Sequence, residues 1–252
     1  MNRPQRIVIV GASSGLGLLC AEEFARRGWT VGTAARNESA LKQLKSRFPD
    51  KIEWQKIDIN SEDSVKNLHE LIKKIGGMDI YFHVSGICIE NPDLDAESEL
   101  RTVDTNVVGF TRMIDAVFNY FKASNRKGRI AAITSVAGTK GIADLASYSA
   151  SKRYQWNYLQ ALEQLARREN LPIGFNDIRP GWTRTPLISS DRRYLMAMNA
   201  EKVAAKAVKA IINNRRRTVI DWKWAVMATL WRLLPQSIWS RIPLHASYSA
   251  RP

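Results

Sequence analysis

Along the first 180 residues, short unbroken apolar runs alternate with stretches whose apolar positions recur every three or four residues. The first pattern marks buried strands and the second amphipathic helices. Ile7-Val8-Ile9-Val10 opens the series and ends at a glycine. A helical pattern through Leu16, Leu19, Phe24 and Ala25 follows, stopped by Gly28. Thr30–Ala34 is predicted as the second strand, Glu38–Phe48 as a helix ended by Pro49, and Ile52–Ile57 as the third strand. A helix over Ser61–Ile75, with Ser61 as N-cap, leads to a strand over Met78–Val84. A long helix near Glu99–Phe121, a strand at Arg129–Thr134, a helix at Ser147–Arg168 and a strand at Ile173–Ile178 come next. Helix Ala200–Ile212 and a last strand at Thr218–Ile220 complete the alternation. Apolar strands joined by helices imply a parallel sheet covered on both faces, and right-handed crossovers make it doubly wound. The expectation is one α/β domain over 1–252, seven parallel strands flanked by helices, with a helical C-terminal extension at 221–252.

Composition narrows the class. Hydrophobic residues are 45% and charged residues 25% of the chain, which excludes disorder, collagen and coiled coil as whole-chain readings. Charge shifts attention to the last third. The net charge is +14, yet residues 1–178 hold 24 basic and 21 acidic side chains, whereas 179–252 hold 14 and 3. Cys20 and Cys88 are the only cysteines, so neither a disulfide framework nor a CxxC metal pair is available, and no metal is expected. The opening residues carry no signal-peptide h-region, and no apolar run reaches the roughly 18 residues a bilayer requires. A soluble cytoplasmic protein is expected.

The first strand runs into Gly11-Ala12-Ser13-Ser14-Gly15-Leu16-Gly17 ahead of a helix. Such a loop lets the backbone approach a pyrophosphate, whose charge meets the helix N-terminus, so a dinucleotide is the natural ligand. A glycine-rich turn that binds nothing is the alternative. The second strand ends at Ala35-Arg36, with no acid at 34–36 to receive ribose hydroxyls. Arg36 offers a forked donor suited to a 2′-phosphate, so NADP(H) is expected over NAD(H); a solvated helix-start charge is the bland reading. Asp58, with Ile59 beside it after the third strand, is placed either to hold the adenine amino group or to serve the helix approach.

Tyr148 and Lys152 lie four apart on one predicted helix. A cation beside a phenol favours the phenolate, which suits general acid–base work. Ser135 ends the preceding strand, where its hydroxyl could hold a carbonyl oxygen. Asn106 sits in the long helix, and Arg179-Pro180-Gly181-Trp182-Thr183-Arg184-Thr185-Pro186 follows the sixth strand.

In this order and spacing the constellation resembles the short-chain dehydrogenase/reductase family, in its single-domain branch, over residues 6 to about 220. The resemblance implies a Rossmann fold and a catalytic set of Asn106, Ser135, Tyr148 and Lys152. In it Tyr148 donates the proton, Lys152 lowers its pKa and binds the nicotinamide ribose, and Ser135 orients the substrate oxygen. Asn106 would hold, through a kinked helix backbone, a water linking Lys152 to solvent. Thr185 and the backbone at Thr183 would bind the carboxamide, in the loop begun by Pro180 and Gly181. Relatives usually pair through the helices near 99–121 and 147–168, implying a homo-dimer or tetramer. Two departures stand out. His83-Val84-Ser85-Gly86 replaces the family's Asn-Asn-Ala-Gly, keeping Gly86 against the cofactor and making His83 a structural strand-end residue. Ser14 occupies the loop position where NADP-preferring relatives carry a basic residue.

Leu187, Ile188, Leu195, Met196 and Met198 are expected to form an apolar lid over 187–200, or simply to pack as a loop. Arg184, Arg192 and Arg193 stand ready for an acidic substrate group. Beyond Asp221, Trp222, Trp224, Trp231 and Trp239 alternate with Lys223, Arg232 and Arg241 across two short helical stretches split by Pro235. Three roles stay open for 221–242: packing on its own domain or a partner subunit; peripheral contact with a membrane; and attraction of an acidic partner such as an acyl carrier protein. No nucleic-acid-binding fold accompanies the charge, so no nucleic acid is expected. The reading is an NADP(H)-dependent oxidoreductase acting on a hydrophobic, lipid-like carbonyl or secondary alcohol. A non-catalytic dinucleotide-binding protein and a reductase of acyl-carrier-linked ketones are the alternatives.

Overall fold

The apolar runs fold into strands β1 (Arg6–Val10), β2 (Thr30–Ala35), β3 (Ile52–Lys56) and β4 (Ile80–His83). Three more follow, β5 (Gly128–Ile133), β6 (Ile173–Pro180) and, near the far edge, Arg217–Ile220. The structure, a computed structural model, describes residues 5–188, 192–243, 245, 246, 248 and 249. All seven strands are parallel, and the Arg217–Ile220 strand pairs with β6. Moving inward from that strand the order is β6, β5, β4, β1, β2, β3, so the chain reverses direction across the sheet between β1 and β4. A crevice opens at such a reversal, outside the carboxyl ends of the strands.

Helices cover both faces. On one lie α1 (Gly15–Arg26), α2 (Glu38–Arg47) and α7 (Ala200–Ile212), whose Cys20, Phe24, Leu41, Leu44 and Val208 bury against Ile7, Ile9 and Phe82. On the other lie α3 (Ser64–Lys74), α5 (Phe110–Ser124) and α6 (Ala146–Arg168), which bury Leu68, Met113, Val117 and Leu159 against Val8, Tyr81 and Ile130. Alternate residues of β1 thus feed opposite cores, as the pleat requires.

Two boundaries differ from the sequence expectation. Helix α3 begins at Ser64, not Ser61, because the Ser61 hydroxyl accepts the Asp63 amide at 3.2 Å and closes a turn first. The long helix begins earlier, at α4 (Ala96–Val103), where Asp95 accepts from Ser98 N at 2.9 Å as its N-cap. It is then broken by a π-helical turn over Asp104–Gly109 before α5 resumes. π-turns carry the same apolar periodicity to within one residue, so spacing alone does not reveal them.

The last third is more tied down than expected. Short bridges join β7 (Thr183–Arg184) to β9 (Met198–Asn199), and β8 (Arg192–Arg193) to β11 (Tyr248–Ser249), tying down residues 192–199. After the final sheet strand, now β10, come α8 (Trp222–Leu233) and α9 (Gln236–Trp239). The tail packs on its own domain through one face. Trp224 and Ala228 bury against Val136, Trp239 Nε1 donates to Gly141 O at 2.7 Å, and Lys140 Nζ donates to Leu234 O at 2.9 Å. Its other face leaves Trp222, Val226, Leu230 and Leu233 exposed, at helical spacing. Among the described residues no helix is long and apolar enough to cross a membrane.

Candidate active site

The glycine loop is built by close approach. Gly11 has φ +95°, and a Cβ there would lie 2.5 Å from Ser85 N; a Cβ on Gly17 would overlap the Gly11 carbonyl oxygen. The β1–α1 turn is therefore pressed against Val84 and Ser85, just past β4, and against α1, and it lines a groove of about 440 Å³. Ser13, Ser14, Gly15 and Leu16 line it, and Ser14, at the N-cap of α1, makes no capping bond. Unspent N–H groups at that helix end suit an anion. Arg36 is exposed on the same wall and makes no ion pair among the described residues. Asp58 also faces the groove and accepts from Asn60 N at 3.0 Å, while Ile59 turns its side chain into the core and its carbonyl accepts from Arg112 at 2.7 Å. The cradle, the uncapped helix end and the single forked cation on the groove fit a dinucleotide.

Where the groove narrows it meets a second cavity, of about 90 Å³, lined by Tyr148, Lys152 and Ser135. Leu16, Gly86, Ile133 and Thr185 line both spaces. Tyr148 and Lys152 are buried one helical turn apart on α6, with Nζ 5.6 Å from the phenol ring centre. Ser135, two residues past the end of β5, lies on the cavity with Tyr148, accepts from Ala137 N at 3.1 Å and donates to Pro180 O at 3.4 Å. Burial pushes the phenol's pKa above its ordinary value, aided by the nearby Cys88 and opposed by Ser135. Burial also lowers the Lys152 ammonium to about 8. Thr183 donates to Gly181 O at 3.0 Å and Thr185 to Thr183 O at 3.4 Å, holding the loop after Pro180 and Gly181 in a compact turn.

Asn106 lies in the π-turn but not with a free backbone. Its side chain clamps Ile87, accepting from N at 2.9 Å and donating to O at 2.8 Å, and it donates to Ser151 Oγ at 3.2 Å. Its main-chain oxygen, expected to hold a relaying water, accepts from Gln155 Nε2 at 2.9 Å. An amide occupies that approach to Lys152. His83 is structural: fully buried, with Nδ1 3.0 Å from the Tyr81 hydroxyl and its pKa lowered by burial to about 3.

The lid splits. Leu187 and Ile188 line the cavity, Met196 and Met198 pack against the tail and α7 side, and Leu195 faces outward. The segment 189–191 lies outside the described residues. Arg192 pairs with Glu90 at 2.5 Å and is thereby engaged, whereas Arg184 and Arg193 are exposed.

Several contributors carry no motif. Trp182, Trp224 and Trp231 wall the cavity, and Ala246 packs beside Tyr148 and Ala137. Glu99 accepts from Ser147 N at 2.9 Å and Asn91 Nδ2 at 2.8 Å, anchoring the start of α6. Cys88 lines the cavity, its thiol pushed up to about 12 by burial. The tail's aromatic density was the visible signal for Trp224 and Trp231; Gln155 showed only as a polar residue on an otherwise core-facing stretch.

A sequence profile described as short chain dehydrogenase matches residues 5–195. An uncharacterised oxidoreductase of Mycobacterium tuberculosis is 32% identical over 251 residues, covering 94% of this chain and 96% of that one. Farnesol dehydrogenase of Aedes aegypti is 29% identical over 193 residues, covering 72% and 78%. A short chain dehydrogenase/reductase from Burkholderia phymatum, solved with NAD, shares the fold with a TM-score of 0.82 at 19% identity, covering 96% and 97%.

Proposed function

The chain belongs to the short-chain dehydrogenase/reductase family and is an oxidoreductase of that type, and on that premise we propose an NADP(H)-dependent reductase of bulky apolar ketones. One observation carries the reading: the phenol of Tyr148 lines a cavity that shares Leu16, Gly86, Ile133 and Thr185 with the glycine-loop groove and is walled by Trp182, Trp224, Trp231, Ile142 and Leu187. Beside Ser135, Tyr148 and Lys152 the lining includes Cys88 and three threonines, and the greater part of the wall is hydrocarbon and indole, the usual build of a site for an apolar ligand. The mosquito relative's named substrate, an apolar alcohol, agrees with this.

A bound reduced nicotinamide dinucleotide supplies the hydride. Tyr148 gives its proton to the carbonyl oxygen, and its raised pKa keeps it in the protonated form that a donor needs. Ser135 holds the same oxygen. The Lys152 ammonium steadies the phenolate that remains. Arg36, facing no competing carboxylate at 34–36, favours a 2′-phosphate. The gathering of donor, orienting hydroxyl and cation on one cavity favours an enzyme over a non-catalytic binder.

Location follows from the same chemistry. The exposed stripe Trp222, Val226, Leu230 and Leu233, with Lys223, Arg232 and Arg241 around it and no acid after Asp221, suits peripheral contact with an anionic membrane on the cytoplasmic side. Free Cys20 and Cys88 suit a reducing compartment. Exposed Leu100, Val103 and Val108 along α4 and the π-turn offer a surface for self-association.

Tyr148→Phe tests the core of the proposal. We expect NADPH-dependent reduction of long-chain ketones to fall by at least about a hundredfold, the scale of general acid catalysis, with NADPH affinity within about twofold. Undiminished turnover would remove Tyr148 from the chemistry.

A further inference from the structure

Gln155 sits among the catalytic groups yet belongs to none of the motifs. It lies three residues past Lys152 on α6, sharing its helix face, and is fully buried. Its Oε1 accepts from Lys152 Nζ at 3.1 Å, and its Nε2 donates to the main-chain oxygen of Asn106, inside the π-turn, at 2.9 Å. The orientation of this amide is forced. An ammonium only donates and a carbonyl only accepts, so the oxygen must face Lys152 and the nitrogen must face Asn106. One side chain thus ties the cation under Tyr148 to the turn that packs against the loop after β4.

The remaining support for that cation is thin. The only other acceptor within hydrogen-bond reach among the described residues is Ile133 O, at 3.4 Å. A buried ammonium with so few acceptors depends strongly on each. We propose that Gln155 is a positioning residue for the reaction: it fixes the Lys152 ammonium beneath Tyr148 and supplies the dipole that keeps it charged. The inference rests on the reductase reading for its kinetic consequence, but the placement and charge of Lys152 can be measured without turnover.

The charged and titratable groups around Lys152 are Tyr148 on its own helix, His83 on β4, Cys88 on the loop that follows, and Asp177 on β6. None of them bonds Gln155, so substitutions at 155 change one neighbour of the cation and leave the others in place. Gln155→Met keeps the length and burial but removes both hydrogen bonds. Gln155→Glu keeps the shape and the acceptor toward Lys152, loses the donor to the Asn106 carbonyl, and adds a negative charge beside the ammonium.

The test is a pH titration of the Lys152 side-chain resonance in protein labelled with 15N-lysine, assigned through Lys152→Arg. It is run alongside the pH profile of NADPH-dependent ketone reduction. Gln155→Met should move the Lys152 midpoint down and Gln155→Glu should move it up, each by about one pH unit, the lower end of what one neighbouring charge does. The alkaline limb of kcat/KM should follow in both directions. A merely structural Gln155 would lower stability or kcat in Gln155→Met with the midpoint unmoved, and that result overturns the proposal. If Gln155→Met fails to fold, Gln155→Leu, which also removes both hydrogen bonds and adds no charge, decides in its place by the same downward shift. A shifted midpoint in a protein that reduces no ketone would uphold the positioning role and instead sink the functional reading.

Discussion

Burial acts on the Tyr148 phenol and the Lys152 ammonium in the same sense, against charge, and so favours the protonated phenol and the neutral amine. The ammonium is the more easily discharged, near pH 8. Ketone reduction should therefore hold up to about that pH and decline above it, as initial-rate profiles at saturating NADPH would reveal; a profile flat to pH 10 would contradict it. The same shift has a stability consequence of definite sign. Lys152 titrates near 8 when folded and near 10.4 when unfolded. The unfolded chain binds the proton more tightly between those values, so the cost of burying the charge is full below pH 8 and fades as pH rises through that window. Urea midpoints of the native chain should climb relative to Lys152→Met from pH 8 to 10. At the other end of the groove, Arg36→Glu should weaken NADPH binding by about ten- to a hundredfold, the worth of a charged hydrogen bond of roughly 1.5–3 kcal/mol. NADH affinity should change far less; equal losses for both would deny Arg36 its phosphate.

At the scale of elements, the sheet and its helices were legible because each apolar run must be buried on both faces and each helix on one. What escaped were features with no period of their own. The π-turn at Asp104–Gly109 adds a single residue to a helical pattern, and the two-residue ladders β7–β9 and β8–β11 are too short to alternate. The Tyr148–Lys152 spacing was readable because a helix converts it directly into proximity. Gln155 was not, because its meaning comes from Asn106, far away in sequence. Helix α8 is the clearest case of tertiary dependence. A Cβ on Gly181 would overlap the Trp224 indole, so the turn after β6 admits the helix only as glycine. Trp224→Ala should open the cavity, raising KM for apolar ketones several-fold while NADPH affinity stays put, since no α8 residue lines the groove. An unchanged KM would show that α8 does not shape the substrate space.

For the molecule as a whole, the excess positive charge is separated from the chemistry. The sheet and glycine loop lie in the nearly neutral first part, and the basic last third wraps the substrate side, with one face of α8 on the cavity and the other in solvent. An apolar stripe ringed by cations predicts sedimentation with phosphatidylserine-containing vesicles, weaker at high salt because the Debye length shortens to a few ångströms. Leu230→Asp, on the exposed face, should abolish it without touching turnover of a water-soluble ketone. Failure of the native chain to sediment at low salt would remove the membrane reading.

The indoles that wall the cavity also make it self-reporting. Trp224 meets Trp231 edge-on at 6.2 Å between ring centres, Trp231 meets Trp239 at 5.5 Å, and Trp182 faces the same space. Indole emission overlaps the absorption of a reduced nicotinamide, so with the proposed coenzyme in the adjoining groove, excitation landing on this cluster would pass to it. A ligand entering between them will alter that transfer whether or not it reacts. The protein therefore contains its own optical sensor, with which candidate substrates can be ranked by occupancy before any product is sought.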